Sequence, residues 1–255
     1  MRYCGLDFGT SNTTLGIASG NAARLVALEG DETTLPSAIF FDFAAARPAF
    51  GRAAIEAYAK GTDGRLMRSL KSVLGTDLID QDTLLDKHRI GFRDVLKRLL
   101  GEIKARGEQQ AGHELDSVVH GRPVHFVDGD AAADRRAEDA LADIARAIGF
   151  RHVSFQFEPI AAALDYEQQV QAEEVALIAD IGGGTSDFSI VRLGPDRRHA
   201  ADRAGDILAN DGIRIGGTDF DRLLSLKSAS TPSCPYRANA CRSKGLPSTG
   251  VGSIL

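Results

Sequence analysis

The stretch Val175–Val191, VALIADIGGGTSDFSIV, places three consecutive glycines between Asp180 and Asp187 in a segment whose flanks read as β-strand. Glycine inside a strand costs about 0.5 to 1 kcal/mol relative to alanine, because it orders more backbone freedom and packs no side chain. The run therefore reads as the tip of a hairpin joining two strands, kept free of side chains for a reason other than packing.

A second stretch, Leu6–Ile17, LDFGTSNTTLGI, repeats the plan of Ala179–Ile190, ADIGGGTSDFSI. Each has an apolar strand, an aspartate, one apolar residue, a glycine, a short hydroxyl-rich turn and a second strand. Glycines at such a tip let backbone N–H groups point into one concavity and let an anionic oxygen approach without a Cβ in the way. The hydroxyls of Thr10, Ser11 and Thr185 add donors. Asp7 and Asp180 would repel a bare phosphate, so they call for a cation between, and Mg²⁺ suits carboxylate and water oxygens. Two such units imply two related lobes facing each other across a cleft, with a ligand held between the tips.

The rest of the chain is consistent with an α/β protein. Its 255 residues, 43% hydrophobic and 25% charged, are enough for a substantial core or two compact lobes. The net charge of −5 and the lack of a Lys/Arg run give no footprint for nucleic acid. MRYCGLDFGT has no signal-peptide core, and no apolar window is long enough to cross a membrane, so a cytoplasmic protein is expected. Cys4, Cys234 and Cys241 form no disulfide framework and no zinc pattern; Cys4 reads as core and the others as incidental thiols. There is no HExxH and no GxSxG.

Along the chain, the opening hairpin is followed by an expected strand over AARLVAL and another over TLPSAIFFDF, then a helix over AAIEAYAKG ended by Gly61. Phe92, Leu96, Leu99, Leu100 and Ile103 recur at helical spacing. After a strand in SVVHGRPVHF comes the clearest helix, capped by Asp130, lined by Leu141, Ile144 and Ile148, and ended by Gly149. HVSFQFEP is a strand, and PIAAALDYEQQV a helix with Pro159 in its first turn. A hairpin within an otherwise alternating order of strands and helices requires a mixed sheet. A helix after Gly216 and Gly217 would be capped by Thr218 or Asp219. From Lys227 onward periodicity disappears, and the tail is expected to be disordered and apart from the core.

Five ordered motifs, GLDFGTSNTT, RSLKSVLG, FEPIAAALDY, DIGGGTSDFSIV and IRIGGTDFDRLL, together resemble the nucleotide-binding domain of the seventy-kilodalton heat-shock (DnaK-type) chaperones over about residues 3 to 226, nearest to the smaller YegD-type members. The resemblance implies an actin-like ATPase fold of two ribonuclease-H-like lobes with mixed sheets: residues 1–172 as the first lobe, 173–226 as part of the second, and 227–255 unmatched. It implies ATP or ADP with Mg²⁺ as cofactors, ATP hydrolysis as the activity, and unfolded clients or co-chaperones as partners, with neither nucleic acid nor membrane. By position it assigns Thr10, Ser11, Asn12, Gly182, Gly183, Gly184, Thr185, Gly216 and Gly217 to the phosphates. Asp7, Asp180 and Glu158 fall to the metal and its waters. Lys71, Glu158, Asp180 and Thr185 fall to catalysis, and Asp187 to a supporting or turn-bonding role. On its own Lys71 would read as a solvated lysine and Glu158 as a helix N-terminal acid favoured by the dipole. Pro123 matches a proline linked to interdomain signalling, though its surroundings depart from the family pattern. The run from Gly75 to Val118 is shorter than usual, and no adenosine motif follows DFDRLL. The expectation is therefore a truncated second lobe, which leaves open a fragment that has lost nucleotide binding. An actin-like filament protein and a small-molecule kinase of the same superfamily are the alternatives.

Overall fold

The computed structural model describes residues 2–19, 22–200 and 202–229. Strand β1 (Tyr3–Phe8) alternates exposed and buried side chains, so Cys4, Leu6 and Phe8 all face one side. It turns back into antiparallel β2 (Asn12–Ser19), the hairpin expected from the sequence. β3 (Ala22–Leu25) is shorter than AARLVAL suggested: the chain leaves the sheet after Leu25, and Val26 and Leu28 enter the core as irregular backbone. The run TLPSAIFFDF is likewise two strands, β4 (Thr34–Pro36) and β5 (Ala38–Asp42), which belong to different sheets. The break falls at Ser37, whose N–H donates to the Ser11 carbonyl at 2.8 Å and whose hydroxyl donates to the Gly9 carbonyl at 2.7 Å.

β6 (Ala49–Phe50), helix α1 (Gly51–Ala59) and β7 (Gly64–Arg68) complete a small sheet around β5. A hairpin with no counterpart in the sequence reading follows, β8 (Asp82–Leu85) and β9 (His88–Gly91), with Asp86 left-handed at its turn. α2 (Phe92–Ala111), β10 (Ser117–Arg122), α3 (Ala131–Ala147) and β11 (His152–Phe157) then build the main layer. Asp130 caps α3 as expected, accepting from the N–H groups of Ala132 and Ala133 at 3.0 and 2.9 Å, and Gly149 takes φ +101 just past its end.

The first sheet runs β11-β10-β1-β2-β3, with β4 on β2; β10 and β11 lie parallel to β1 while β2 is antiparallel, so the sheet is mixed. Its buried face, Cys4, Leu6, Phe8, Leu15 and Ile17, packs in one core with Leu96, Leu99, Leu100 and Ile103 of α2 and Leu141 and Ile144 of α3. Each such side chain contributes about 1.5 to 3 kcal/mol by leaving water. Cys4 is a buried core thiol, pushed up to about 12 by burial. Cys234 and Cys241 lie outside the described residues.

A second, three-stranded sheet consists of β12 (Glu174–Ile181), β13 (Ser186–Leu193) and β14 (Ile207–Ile213), all antiparallel. Between β11 and β12 runs α4 (Glu158–Glu167), with Ile160 and Ala163 packed on Val191 and Leu193. The last helix, α5 (Gly217–Ala229), carries three residues into the segment expected to leave the core, and the remainder of that segment lies outside the described residues. Among the described residues no helix is long and apolar enough to cross a membrane.

The far end of α4 is held by charge. Glu167 is fully buried and accepts two hydrogen bonds from the Arg203 guanidinium, at 3.0 and 2.9 Å, and one from the Gly194 N–H at 3.1 Å. Arg203 is also paired with buried Asp206. Burial works to raise the Glu167 carboxyl, but Arg203 and the Gly194 N–H outweigh it and hold it below its usual range. Replacing Arg203 leaves buried Glu167 without its guanidinium, while buried Asp206 keeps Arg197, so Arg203→Ala is expected to lower stability by about 3 to 5 kcal/mol in urea unfolding. The Arg203→Met/Glu167→Leu double variant should recover most of that loss; equal losses in both would mean that the uncompensated charge is not the cause.

Candidate functional site

The two hairpins close by the same bond. In the first, the Gly9 N–H donates to the Asn12 carbonyl at 3.0 Å; in the second, the Gly182 N–H donates to the Thr185 carbonyl at 2.9 Å. The tips are therefore Thr10–Ser11 and Gly183–Gly184, and they face each other. A Cβ on Gly183 would overlap the Ser11 hydroxyl and lie 2.7 Å from the Ser11 Cβ, while one on Gly184 would lie 3.0 Å from the Thr10 Cγ2. One tip carries side chains where the other carries none. The glycine run thus serves close approach of tip to tip, a reason additional to the approach of an anion.

A third segment supports the second tip from behind. The Gly217 N–H donates to the Gly182 carbonyl at 3.0 Å, and both the Thr218 N–H and the Thr218 hydroxyl donate to the Gly183 carbonyl, at 2.8 and 2.6 Å. A Cβ on Gly216 would meet the Gly183 carbonyl carbon at 2.5 Å, so that position admits glycine alone. The helix begins at Gly217, so Thr218 and Asp219 do not cap it. They lie in its first turn, and the Asp219 carboxylate reaches back to accept from the Gly216 N–H at 3.0 Å. The first tip is braced by Ser37, which also shares a 2.9 Å hydroxyl contact with buried Thr13.

Beside the tips, Lys71 and Glu158 meet. Lys71 sits in a short 3-10 turn, Leu70–Val73, anchored by buried Leu70 and Val73; Glu158 opens α4, next to Pro159. The Lys71 Nζ donates to the Glu158 Oε1 at 2.6 Å, with both side chains largely buried. Burial pushes the Glu158 carboxyl above its usual range; Lys71 pulls it back, and Asp7 and Asp180 push it further up. Asp7 shifts upward too, through desolvation first, opposed by Lys71 and reinforced by Asp180. Lys71 thus stands in a field of three carboxylates, Asp7, Glu158 and Asp180, that the sequence places far apart. Glu158, Asp180 and Asp187, with Pro123, Pro159, Ser189 and Asn210, line a small cleft. Asp180 and Asp187 are directly opposite on β12 and β13, a like-charged cross-strand pair that is unfavourable unless a cation or donor shares it.

The Hsp70 protein family matches residues 3–230 of this sequence. The chain belongs to the Hsp70 family. Members bind ATP or ADP, generally with Mg²⁺, and the match points to a chaperone ATPase domain. The surplus of negative charge around Lys71 fits a divalent cation. Among the described residues, however, no three acidic, His or Cys side chains gather closely enough to enclose one directly. That donor set suits Mg²⁺, which keeps several waters and needs few protein oxygens.

The fold of this Hsp70 member brings together the residues expected at the site from both ends of the sequence. Reasoning from motifs missed three that shape it: Ser37, Thr218 in its tip-bracing role, and His120. His120 on β10 is fully buried between Phe8 and Phe155, its Nδ1 2.9 Å from the Gly121 carbonyl, and its Nε2 has no hydrogen-bond partner. Burial lowers its pKa to about 4, aided by the Lys71 charge. No spacing signal marks it; only the sheet register places it beside Leu6 and Phe155.

Two outcomes follow from this geometry. Gly183→Ala should cost about 1 to 3 kcal/mol in urea unfolding through overpacking between the tips, whereas Gly205→Ala, with nothing within 4 Å of the added Cβ, should be neutral. His120 is held neutral in the fold, so the stability it contributes is complete above the unfolded-state value near 6.5 and is lost as pH falls toward 4. His120→Leu should flatten that acid limb in thermal unfolding measured across pH; an unchanged limb would show that other groups produce it.

Proposed function

We propose that this chain binds ATP with Mg²⁺ against the two opposed hairpin tips and hydrolyses it, as the nucleotide-binding part of a DnaK-type chaperone. The observation that carries the reading is the pair of opposed tips with the Lys71–Glu158 pair and the carboxylates of Asp7 and Asp180 beside them. In this reading residues 1–172 and 173–226 are two lobes of an actin-like ATPase, each built around one of the two sheets. The chain stands with the shorter, YegD-type members. Clients and co-chaperones would be its protein partners, and the cytoplasm its compartment.

Each residue then has a task. The tip N–H groups of Thr10, Ser11 and Asn12 on one side, and of Gly183, Gly184 and Thr185 on the other, face the phosphates, with the hydroxyls of Thr10, Ser11 and Thr185 as further donors. Gly182, Gly216 and Gly217 hold the second tip in place. Lys71 stabilises negative charge developing on the terminal phosphate. Glu158 fixes the Lys71 ammonium and, with its carboxyl shifted upward, hands or receives a proton at water. Asp180 orients that water, and Asp7 and Asp180 hold the waters of the magnesium shell. A bound magnesium ion supplies the charge that lets carboxylates and phosphates share the cleft. Lys71 in LKSVLG and the GGTDFD segment favour this reading over an actin-like filament protein, and no substrate-binding segment of a small-molecule kinase is recognisable.

Lys71→Ala should reduce the turnover of ATP by about 10² to 10³ while changing the calorimetric affinity for ADP with Mg²⁺ less than tenfold. Nucleotide heat absent from the parent chain would sink the reading. Heat from pyrophosphate but none from ADP would show a site that holds phosphates without the nucleoside.

A further inference from the structure

The last two residues of β10 meet the start of α4. Arg122 lies directly across from Phe157 in the parallel register, and Phe157 immediately precedes Glu158. A Cβ on the neighbouring Gly121 would lie 3.4 Å from the Glu158 Cγ and 3.5 Å from its Oε1, so the carboxylate rests against that glycine. Phe157 occupies the N-cap position of α4 and offers no side-chain cap, so what aims Glu158 is not a capping bond.

The largely buried Arg122 guanidinium uses four of its five N–H groups. Its Nε donates to the Pro123 carbonyl at 3.0 Å, its Nη2 to the Val124 carbonyl at 3.2 Å and to Asp134 at 2.8 Å, and its Nη1 to Glu138. The same group stands 5.2 Å from the ring centroids of both Phe126 and Phe157. Asp134 in turn accepts from the Phe126 N–H at 2.5 Å. Residues 123–130 belong to no helix or strand, and Pro123 and Val124 line the cleft beside Glu158 and Asp180. Without ladder bonds of its own, this wall of the cleft takes its shape from Arg122 and Asp134. We propose that Arg122 is a positioning residue of the site: anchored to α3 by two carboxylates, it sets the wall formed by Pro123 and Val124 and, through the Phe157 ring, the direction in which Glu158 reaches Lys71. The planar fork is what the role requires, since lysine carries its donors on one point and has no flat face to lie against two rings. The inference concerns the Lys71–Glu158 pair itself; only its effect on turnover rests on the reading of the chain as an ATPase.

A double-mutant cycle in urea unfolding tests this. Lys71→Met, Glu158→Gln and their combination give the coupling between the two side chains, first in the parent and then with Arg122→Lys in every member. The coupling seen in the parent should be lost with Arg122→Lys, although that substitution keeps the charge. Glu138→Gln, at a partly exposed position, loosens the same anchor more gently and should weaken the coupling in the same direction. Arg106→Lys is the control: its bonds go to Glu102 and the Leu28 carbonyl, so it should lower stability and leave the coupling intact. In ATP turnover Arg122→Lys should lower kcat about 10- to 100-fold with less than about threefold change in KM, the order expected of a misplacement of about 1 Å. A coupling that survives both Arg122→Lys and Glu138→Gln overturns the proposal. So does a parent without coupling, or a coupling lost equally with Arg106→Lys. A parent that shows the coupling and turns over no ATP overturns the functional reading and leaves the positioning role standing.

Discussion

Everything at the candidate site depends on a steric asymmetry between two hairpin tips. The two turns close by the same backbone bond, yet one tip is Thr10–Ser11 and the other Gly183–Gly184. Side chains on both would hold the tips apart, and glycines on both would leave no hydroxyls between them. Because the tips come from hairpins about 170 residues apart in sequence, this contact fixes how the β1-β2 hairpin of one sheet faces the β12-β13 hairpin of the other. Gly216 then locks the glycine tip from behind, so the arrangement rests on glycine at positions on two separate segments.

The electrostatics depend on that contact as well. Asp7 lies on β1, Lys71 in the turn after β7, Glu158 at the start of α4 and Asp180 on β12. Only with the tips opposed do three carboxylates share one ammonium. Burial first, and the neighbouring carboxylates after it, shift Asp7 and Glu158 upward against the pull of Lys71, and a site of this kind favours whatever brings further positive charge into it. His120 shows the converse case: a buried imidazole near the same lysine is held neutral.

Much of the fold was legible because its signals are local. The α2 and α3 stripes, the Asp130 cap, Pro159 in the first turn of α4 and the repeated Asp-x-Gly hairpins each report on neighbours within a few residues, and each matches the structure. The misreadings share a different cause. TLPSAIFFDF reads as one strand by composition, but Ser37 is drawn out of line by carbonyls of the first tip, residues far away in sequence. Thr218 has the look of a cap, and its hydroxyl instead goes to Gly183. The β8-β9 hairpin has little β-branched content to announce it. Lys71 and Glu158 could be named as site residues only through the family resemblance, since nothing in either local sequence says that they meet.

Helix α4 joins these two levels. Its first residue, Glu158, is bonded to Lys71, which is rooted in the core of the first sheet; its last, Glu167, is bonded to Arg203, which belongs to the β13-β14 connection of the second. A ten-residue helix is a stiff rod of about 15 Å. Fastened at both ends by ion pairs, it has little slack to absorb relative displacement of the sheets. Any change in the separation of its two anchor points would have to break one of these ion pairs.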